Sequence, residues 1–332
     1  MKQALYWKNL KENIVQCQLC PHFCVLKEKE TGKCHVRMNV QGKLFSLVYN
    51  KPCSLALDPI EKKPLYHFLP GQKTFSLATV GCNLKCKHCQ NFEISQASPE
   101  KIPTKEIKPE KIVELASKNS RIISYTYSEP TIFYEYMLEI SKLAKKQKLK
   151  NVTVTNGFIN KEPLKELCKY LDASNIDLKS INDNFYKKIC GGRVAPILEA
   201  IKLMHEKGVW IELTNLLIPG LNDKEKDIKK LVLWIKKELG INVPVHFTAF
   251  YPCFELLNVQ PTSLSALKKA RQIALKEGLR YVYTGNLSDE GNNTYCHNCY
   301  KLLIKREGFS IVENKIEKGK CVCGEKIPGV WE

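Results

Sequence analysis

Between residues 74 and 284, apolar runs of strand length alternate with longer runs of helical period, and this rhythm restricts the chain to one broad class of fold. Strands are predicted at 74–80, 121–127, 151–155, 174–178, 209–217, 243–250 and 279–283. Helices are predicted near 108–118, 130–146, 195–207, 222–239 and 262–277. Within 222–239, Ile228, Leu231, Val232, Ile235 and Leu239 recur at helical spacing and form one apolar stripe. Asn222 reads as the N-cap of that helix and Gly240 as its stop; Gly278 stops the next. Strand–helix alternation over such a length builds a mainly parallel α/β sheet. Roughly six units fall short of the eight of a closed barrel, so a partial barrel is expected.

Cysteine-rich segments flank this region. Residues 1–73 form an N-terminal extension and connector, 74–284 the partial barrel, and 285–332 a C-terminal zinc-ribbon-like appendage. The extension carries Cys17, Cys20, Cys24 and Cys34, spaced C-x2-C-x3-C-x9-C, and reads as a metal knob rather than a core. A short hairpin is expected around Gly42 (Leu44, Phe45, Leu47, Val48), then a proline-bounded connector from Asp58 to Gly71. The appendage carries Cys296, Cys299, Cys321 and Cys323. No run of eighteen apolar residues is present, so no membrane span is expected. The N-terminus lacks the apolar run of a signal peptide, and a cytoplasmic location is expected. Fifteen cysteines in that compartment point to metal rather than to a disulfide framework. Cys53, Cys168, Cys190 and Cys253 stand apart and read as apolar fillers.

The third cysteine group lies directly after the first barrel strand. Cys82, Cys86 and Cys89 are spaced C-x3-C-x2-C. A structural zinc site closes its shell with four ligands. Three thiolates in one loop instead suit a [4Fe–4S] cube with one iron left open to a small molecule. The formal charge of +18 counts thiols as neutral. With a three-thiolate cluster and two four-thiolate zinc sites it falls to about +13. That balance suits an acidic partner or nucleic acid, although the lysine run 142–150 is better read as a solvated helix face.

Parallel α/β folds place their ligands at the C-terminal ends of strands. Those ends carry Glu129, Thr155, Asn156, Asp177, Lys179 and Asn215, around the cysteine loop. A carboxylate suits an ammonium, a lysine a carboxylate, and Thr155 and Asn156 suit ribose hydroxyls. Tyr125, Tyr127, Tyr251 and Tyr283 can line the mouth; Glu61 and Lys62 can line an entrance or form an internal salt link. No catalytic residue beyond the cofactor shell is legible.

The cysteine loop resembles the signature of the radical S-adenosylmethionine (radical SAM) superfamily, over residues 74–284. The resemblance implies a (β/α)6 partial TIM-type barrel and a [4Fe–4S] cluster on Cys82, Cys86 and Cys89. It implies S-adenosylmethionine (AdoMet) chelated to the open iron and cleaved to a 5′-deoxyadenosyl radical. Glu129 is similar to the family residue that holds the methionine amine, with Tyr127 and Ser128 replacing two glycines. His88 stands where an aromatic residue neighbours the adenine. Asn156-Gly157 and Asp177-Leu178-Lys179 resemble glycyl-radical-enzyme activases such as pyruvate formate-lyase activating enzymes, but Val154 replaces their aspartate.

A narrower resemblance runs nearly end to end, through Cys17-Gln-Leu-Cys-Pro-His-Phe-Cys, Asp58-Pro-Ile-Glu-Lys-Lys-Pro-Leu, Tyr125-Thr-Tyr-Ser-Glu-Pro, Ile218-Pro-Gly-Leu-Asn-Asp and Gly329-Val-Trp. These are similar to the AmmeMemoRadiSam-system family, which implies association with Memo-like and AMMECR-like proteins. Two departures stand out. His246-Phe-Thr-Ala249-Phe-Tyr251 replaces a motif with Arg and His, and Cys321-Val-Cys323 is one residue short of a knuckle. The expected activity is radical hydrogen abstraction from an unidentified substrate, RNA or protein, driven by a ferredoxin- or flavodoxin-type reductant. The alternatives are an activase that installs a glycyl radical on a partner, and a non-catalytic RNA-binding module. Each terminal cysteine group is expected to hold zinc or a second [4Fe–4S] cluster.

Overall fold

The computed structural model describes all 332 residues. At its centre is an open eight-stranded sheet in strict chain order. Its strands are β1 (Ser54–Pro59), β2 (Lys73–Ala78), β3 (Ile122–Tyr125), β4 (Lys150–Thr155), β5 (Ala173–Asp177), β6 (Trp210–Leu217), β7 (Val245–Ala249) and β8 (Val282–Gly285). β2 to β8 are parallel and coincide with the seven predicted strands. β1 pairs antiparallel with β2, so the start of the expected connector is an edge strand. The fold is the α/β partial barrel that the alternation implies, with cysteine-rich groups at both ends.

Six helices make the crossovers: α1 (Pro109–Asn119), α2 (Tyr134–Lys146), α3 (Lys161–Cys168), α4 (Val194–Glu206), α5 (Glu225–Leu239) and α6 (Leu264–Lys276). α5 buries Ile228, Leu231, Val232, Ile235 and Leu239, the predicted stripe, and ends at Gly240 with φ +88°. α6 is capped by Ser263, whose hydroxyl accepts from the Ala266 amide. α3 escapes sequence reading because it is short, polar and carries Pro163, which the first helical turn tolerates. The predicted helix 130–146 is two elements, a 3₁₀ turn at Pro130–Phe133 capped by Glu129, then α2. Asn222 does not cap α5; Lys224 holds that position. The Asn222 side chain instead ties its loop together, accepting from Ile218 N–H and donating to the Leu216 and Lys179 carbonyls.

The N-terminal extension contains two three-stranded sheets, one from Lys2–Gln3, Lys43–Ser46 and Arg37–Val40, the other from Trp7–Asn9, Val15–Cys17 and Val25–Leu26. It is not a detached knob. Val15, Leu19, Leu26, Val36 and Leu44 share one apolar core with the barrel. A buried ion pair, Arg37 Nη1 to Glu135 Oε1 at 3.0 Å, fastens it to α2. The appendage forms a third small sheet (Thr294–Tyr295, Leu302–Glu307, Ser310–Asn314) and packs on Tyr281 and Tyr283 of the barrel edge. No helix is long and apolar enough to cross a membrane.

Candidate active site

The C-terminal ends of the strands open into one cavity of about 480 Å³. Cys82, Cys86, His88, Cys89, Glu129, Thr155, Asn156, Asp177 and Lys179 all line it. Asn215 does not. Along β6 the neighbours Thr214 and Leu216 face the cavity, so the intervening residue faces away. Its amide is used on the Leu178 carbonyl at 2.7 Å.

The cysteine loop is held from three sides. Gly81, immediately before Cys82, has φ +105°, and a Cβ there would meet the Cys34 carbonyl oxygen at 2.7 Å. The amides of Lys85 and Lys87 donate to the carbonyls of Cys190 and Ile189, at 2.8 and 2.9 Å. The Lys87 carbonyl accepts from Glu255 N–H at 3.0 Å, and Phe92 stacks on Phe254. The Cys89 thiol contacts the Ser95 hydroxyl at 3.1 Å, and Cys82 Sγ accepts from Leu84 N–H at 3.3 Å.

Glu129 is buried, and burial pushes its carboxyl pKa up against four donors that act the other way. Oε1 accepts from the Thr131 amide (2.9 Å), the Thr131 hydroxyl (2.6 Å) and the Thr155 hydroxyl (2.7 Å). Oε2 accepts only the Asn156 amide, at 2.8 Å. One side of the carboxylate is therefore saturated and the other keeps acceptor capacity toward the cavity. Thr155 and Asn156 reach the cavity, but their polar atoms are already engaged. The Asn156 side chain donates to Asn83 Oδ1 at 2.9 Å and accepts from Phe158 N–H at 2.8 Å. They orient Glu129 and Cys82 rather than offer free groups for a ribose.

Across the cavity, Lys179 Nζ pairs with Asp177 Oδ2 at 2.7 Å. Burial would lower its pKa, but Asp177 and the thiols of Cys86 and Cys190 raise it well above the ordinary value. His88 is 3% exposed and neither ring nitrogen has a partner. Burial and then Lys179 press its pKa down to about 3, so the imidazole is neutral. Two orphaned nitrogens on a neutral ring in a polar cavity are a ready edge for a heteroaromatic ligand.

Lys62 and Lys63 line the rim and both grip Asp58, at 2.8 and 2.7 Å. Of the four tyrosines, Tyr127 lines the cavity and donates to Asp58. Tyr125 is buried on Asn151, Tyr251 is exposed, and Tyr283 donates to His67. Glu61 lines an adjoining cavity of about 300 Å³ that meets the first at Pro64, Thr248, Asn286 and Phe309. His246 also lines this second cavity, and its Nε2 donates to the buried Glu212 at 2.7 Å.

Sequence reading missed Cys190. It is the last residue of a π-helical turn, Tyr186–Cys190, and its thiol lies with Cys86 and His88 in one group whose ligand atoms are within 4.8 Å of each other. The pairing of the cysteine loop with this turn places it there, and no local pattern announces that.

At the C-terminus all four thiols of Cys296, Cys299, Cys321 and Cys323 lie within 4.8 Å of each other, with separations of 3.7 Å (Cys296 to Cys323) and 3.6 Å (Cys299 to Cys321). Four thiolates around one tetrahedral zinc are spaced about 3.8 Å. The shortened knuckle thus closes a small-ion geometry. His297 is no ligand, because Nδ1 meets Tyr281 OH at 2.7 Å and Nε2 meets Glu325 at 3.2 Å.

Comparison with known proteins agrees with this fold. Residues 76–232 match the Radical SAM superfamily model. An uncharacterized protein of Methanocaldococcus jannaschii is 47% identical over 98% of this chain and 99% of its own length. The pyruvate formate-lyase-activating enzyme of Clostridium pasteurianum is 24% identical over 60% of this chain and 87% of its own. Among solved structures, Streptococcus suis SuiB bound to S-adenosylmethionine has a TM-score of 0.51 at 15% identity, over 68% of this chain and 53% of that one. With the three-cysteine loop at the end of the first parallel strand and a cavity lined by Glu129, His88 and Lys179, the chain belongs to the radical SAM superfamily of enzymes.

Proposed function

We propose that the protein is the radical enzyme of an AmmeMemoRadiSam system, acting on a substrate admitted through the two joined cavities. The convergence of three thiols, an orphaned imidazole and a half-saturated carboxylate on one cavity supports the radical chemistry, and the motifs from Cys17-Gln-Leu-Cys to Gly329-Val-Trp support the system. These residues fit the cofactors that the superfamily implies. Cys82, Cys86 and Cys89 would ligate three irons of a [4Fe–4S] cluster, and the free side of Glu129 Oε2 would take the AdoMet ammonium. Lys179 would take its carboxylate, and His88 would meet the adenine edge. When bound, the pair supplies one-electron cleavage of the sulfonium and a 5′-deoxyadenosyl radical that takes hydrogen from substrate.

The chain's own residues prepare for that event. Thr131, Thr155 and the Asn156 amide fix the Glu129 carboxylate before ligand arrives, so little ordering remains to be done on binding. Lys179 is kept protonated by Asp177, and its charge faces Cys86. Ser95 and Leu84 donate toward Cys89 and Cys82, which favours their thiolate forms. In this reading the four C-terminal cysteines hold zinc and anchor the hairpin that carries Phe309. The reductant is a ferredoxin or flavodoxin of the cytoplasm, and the partners are Memo-like and AMMECR-like proteins.

A second reading, an activase that installs a glycyl radical on a partner enzyme, is favoured by the Asp177–Lys179 pair and the similarity to a pyruvate formate-lyase-activating enzyme. Val154, which lines the cavity in place of an acidic residue, argues against it.

Anaerobic reconstitution with iron and sulfide, then dithionite and AdoMet, should yield 5′-deoxyadenosine, and Cys82→Ala should abolish it. Protein with a full iron complement and no cleavage would sink the reading.

A further inference from the structure

We propose that Cys17, Cys20, Cys24 and Cys34 hold a second [4Fe–4S] cluster, placed to feed electrons to the site at Cys82, Cys86 and Cys89. The cluster assignment stands on the N-terminal geometry alone; its role as a relay rests on the proposed function.

All four cysteines line one small cavity of about 20 Å³. Their spacing differs from that of the C-terminal four. There, every sulfur lies within 4.8 Å of the others; here, no three of the four do. A single tetrahedral ion draws thiolates to about 3.8 Å. A cube of four irons holds them on its outer corners, roughly 6 Å apart. The chain thus contains a one-ion cage and, separately, four cysteines whose sulfurs stand too far apart for a single ion.

Two further features keep that space open and give it a chemical sign. Gly32 forms part of the wall, and a Cβ there would sit between Cys24 Sγ (3.6 Å) and Cys34 Sγ (3.7 Å). Arg37 also lines the cavity and is 2% exposed. Its Nη1 binds Glu135 and its Nη2 the Leu5 carbonyl, but its Nε has no partner. A buried guanidinium N–H at a sulfur-lined void calls for an acceptor. The thiolates and sulfides of a cluster are anionic acceptors.

The two metal sites share a wall. Asn83, next to Cys82, lines the N-terminal cavity, and its carbonyl accepts from His22 Nε2 at 2.7 Å. Gly81 rests on the Cys34 carbonyl. Thr131 lines the N-terminal cavity and donates to Glu129 in the other. An electron therefore has a short covalent and hydrogen-bonded path from one loop to the other. A one-electron donor of ferredoxin or flavodoxin type is oxidised as the N-terminal cluster goes from 2+ to 1+. That cluster returns to 2+ as its neighbour goes from 2+ to 1+, and no bond forms or breaks.

The test is metal and sulfide counting with Mössbauer and EPR spectroscopy on the full chain, reconstituted anaerobically. About eight irons per chain are expected. The triple variant Cys82→Ala/Cys86→Ala/Cys89→Ala should keep about four and a [4Fe–4S] spectrum that AdoMet does not perturb. The double variant Cys20→Ser/Cys24→Ser should keep about four with a spectrum that AdoMet does perturb. Its reduction by a flavodoxin-type donor should slow at least tenfold, while dithionite still reduces it. Wild-type protein with about four irons, and a triple variant with zinc in place of iron, would overturn the cluster. A triple variant that keeps its cluster beside a double variant without one would leave this inference standing and sink the proposed function. Equal reduction rates would overturn the relay.

Discussion

The Cys190 thiol lies against that of Cys86, and the two share a space within 4.8 Å with the His88 imidazole. Cys190 donates its S–H toward Cys86, which holds the Cys86 thiol below its ordinary pKa. Because Cys190 is an outer-sphere donor, Cys190→Ala should leave the iron content unchanged. A hydrogen bond to a cluster ligand favours the more negative, reduced state, so its loss lowers the potential. One hydrogen bond of about 1 kcal/mol corresponds to roughly 40 mV for one electron. An EPR-monitored redox titration should show that drop for Cys190→Ala and a smaller one for Cys190→Ser. Loss of iron in the alanine variant would make Cys190 a ligand instead.

Glu129 and Lys179 grip opposite ends of the same zwitterion in the proposed pose. Glu129→Gln keeps shape and removes charge, so AdoMet affinity should fall about 10–100-fold, the worth of a charge-assisted hydrogen bond. Lys179→Ala should fall by a similar factor. Equilibrium dialysis on reconstituted protein reads both, with iron content as the control. An unchanged affinity in either variant removes that residue from the pose.

His67 supplies a pH dependence. It is fully buried, donates from Nδ1 to the Pro328 carbonyl at 2.6 Å and accepts from Tyr283. Burial lowers its pKa from 6.5 to about 4. Between those values the unfolded chain binds a proton that the folded one refuses, so stability rises with pH there. The contribution is complete above 6.5 and is lost as pH falls toward 4, about 3 kcal/mol in all. Urea midpoints at several pH values should show a shallower acid slope for His67→Gln than for wild type.

The Arg37–Glu135 pair, 2% and 3% exposed, is the electrostatic fastener of the N-terminal extension. Glu135→Ala strands a buried cation and should cost about 3–5 kcal/mol. Arg37→Met/Glu135→Leu should recover part of that loss, because it removes both buried charges but leaves the Leu5 N–H and C=O without these partners. Denaturant midpoints of both variants settle the comparison.

Removal of the C-terminal metal gives a separate readout. Cys323→Ser should lower zinc from about one per chain toward zero while iron is unaltered. Thermal unfolding should then show the appendage loosening at lower temperature. Retained zinc would show that three thiolates and another donor suffice.

The parallel sheet was legible because its strands are apolar on both faces and stand out from charged helices. The cysteine loop and Glu129 were legible because strand ends in such sheets carry chemistry. The same apolar character hid which way single residues point. β6 is buried on both faces, so nothing local marks Thr214 and Leu216 as cavity-facing and Asn215 as not. Thr155 and Asn156 line the cavity, but a sequence gives donors and acceptors without saying which are already taken. Cys190 was read as filler because its meaning comes from a loop a hundred residues away. The edge strand β1 hid inside a segment whose prolines suggested a connector.

Phe309 sits at the tip of a hairpin 220 residues beyond the cysteine loop, yet it lines both cavities. The wall of the site is thus completed by a segment that lies outside the barrel. A substitution at this tip reshapes the mouth of both cavities while the barrel and its cofactor shell stay fixed.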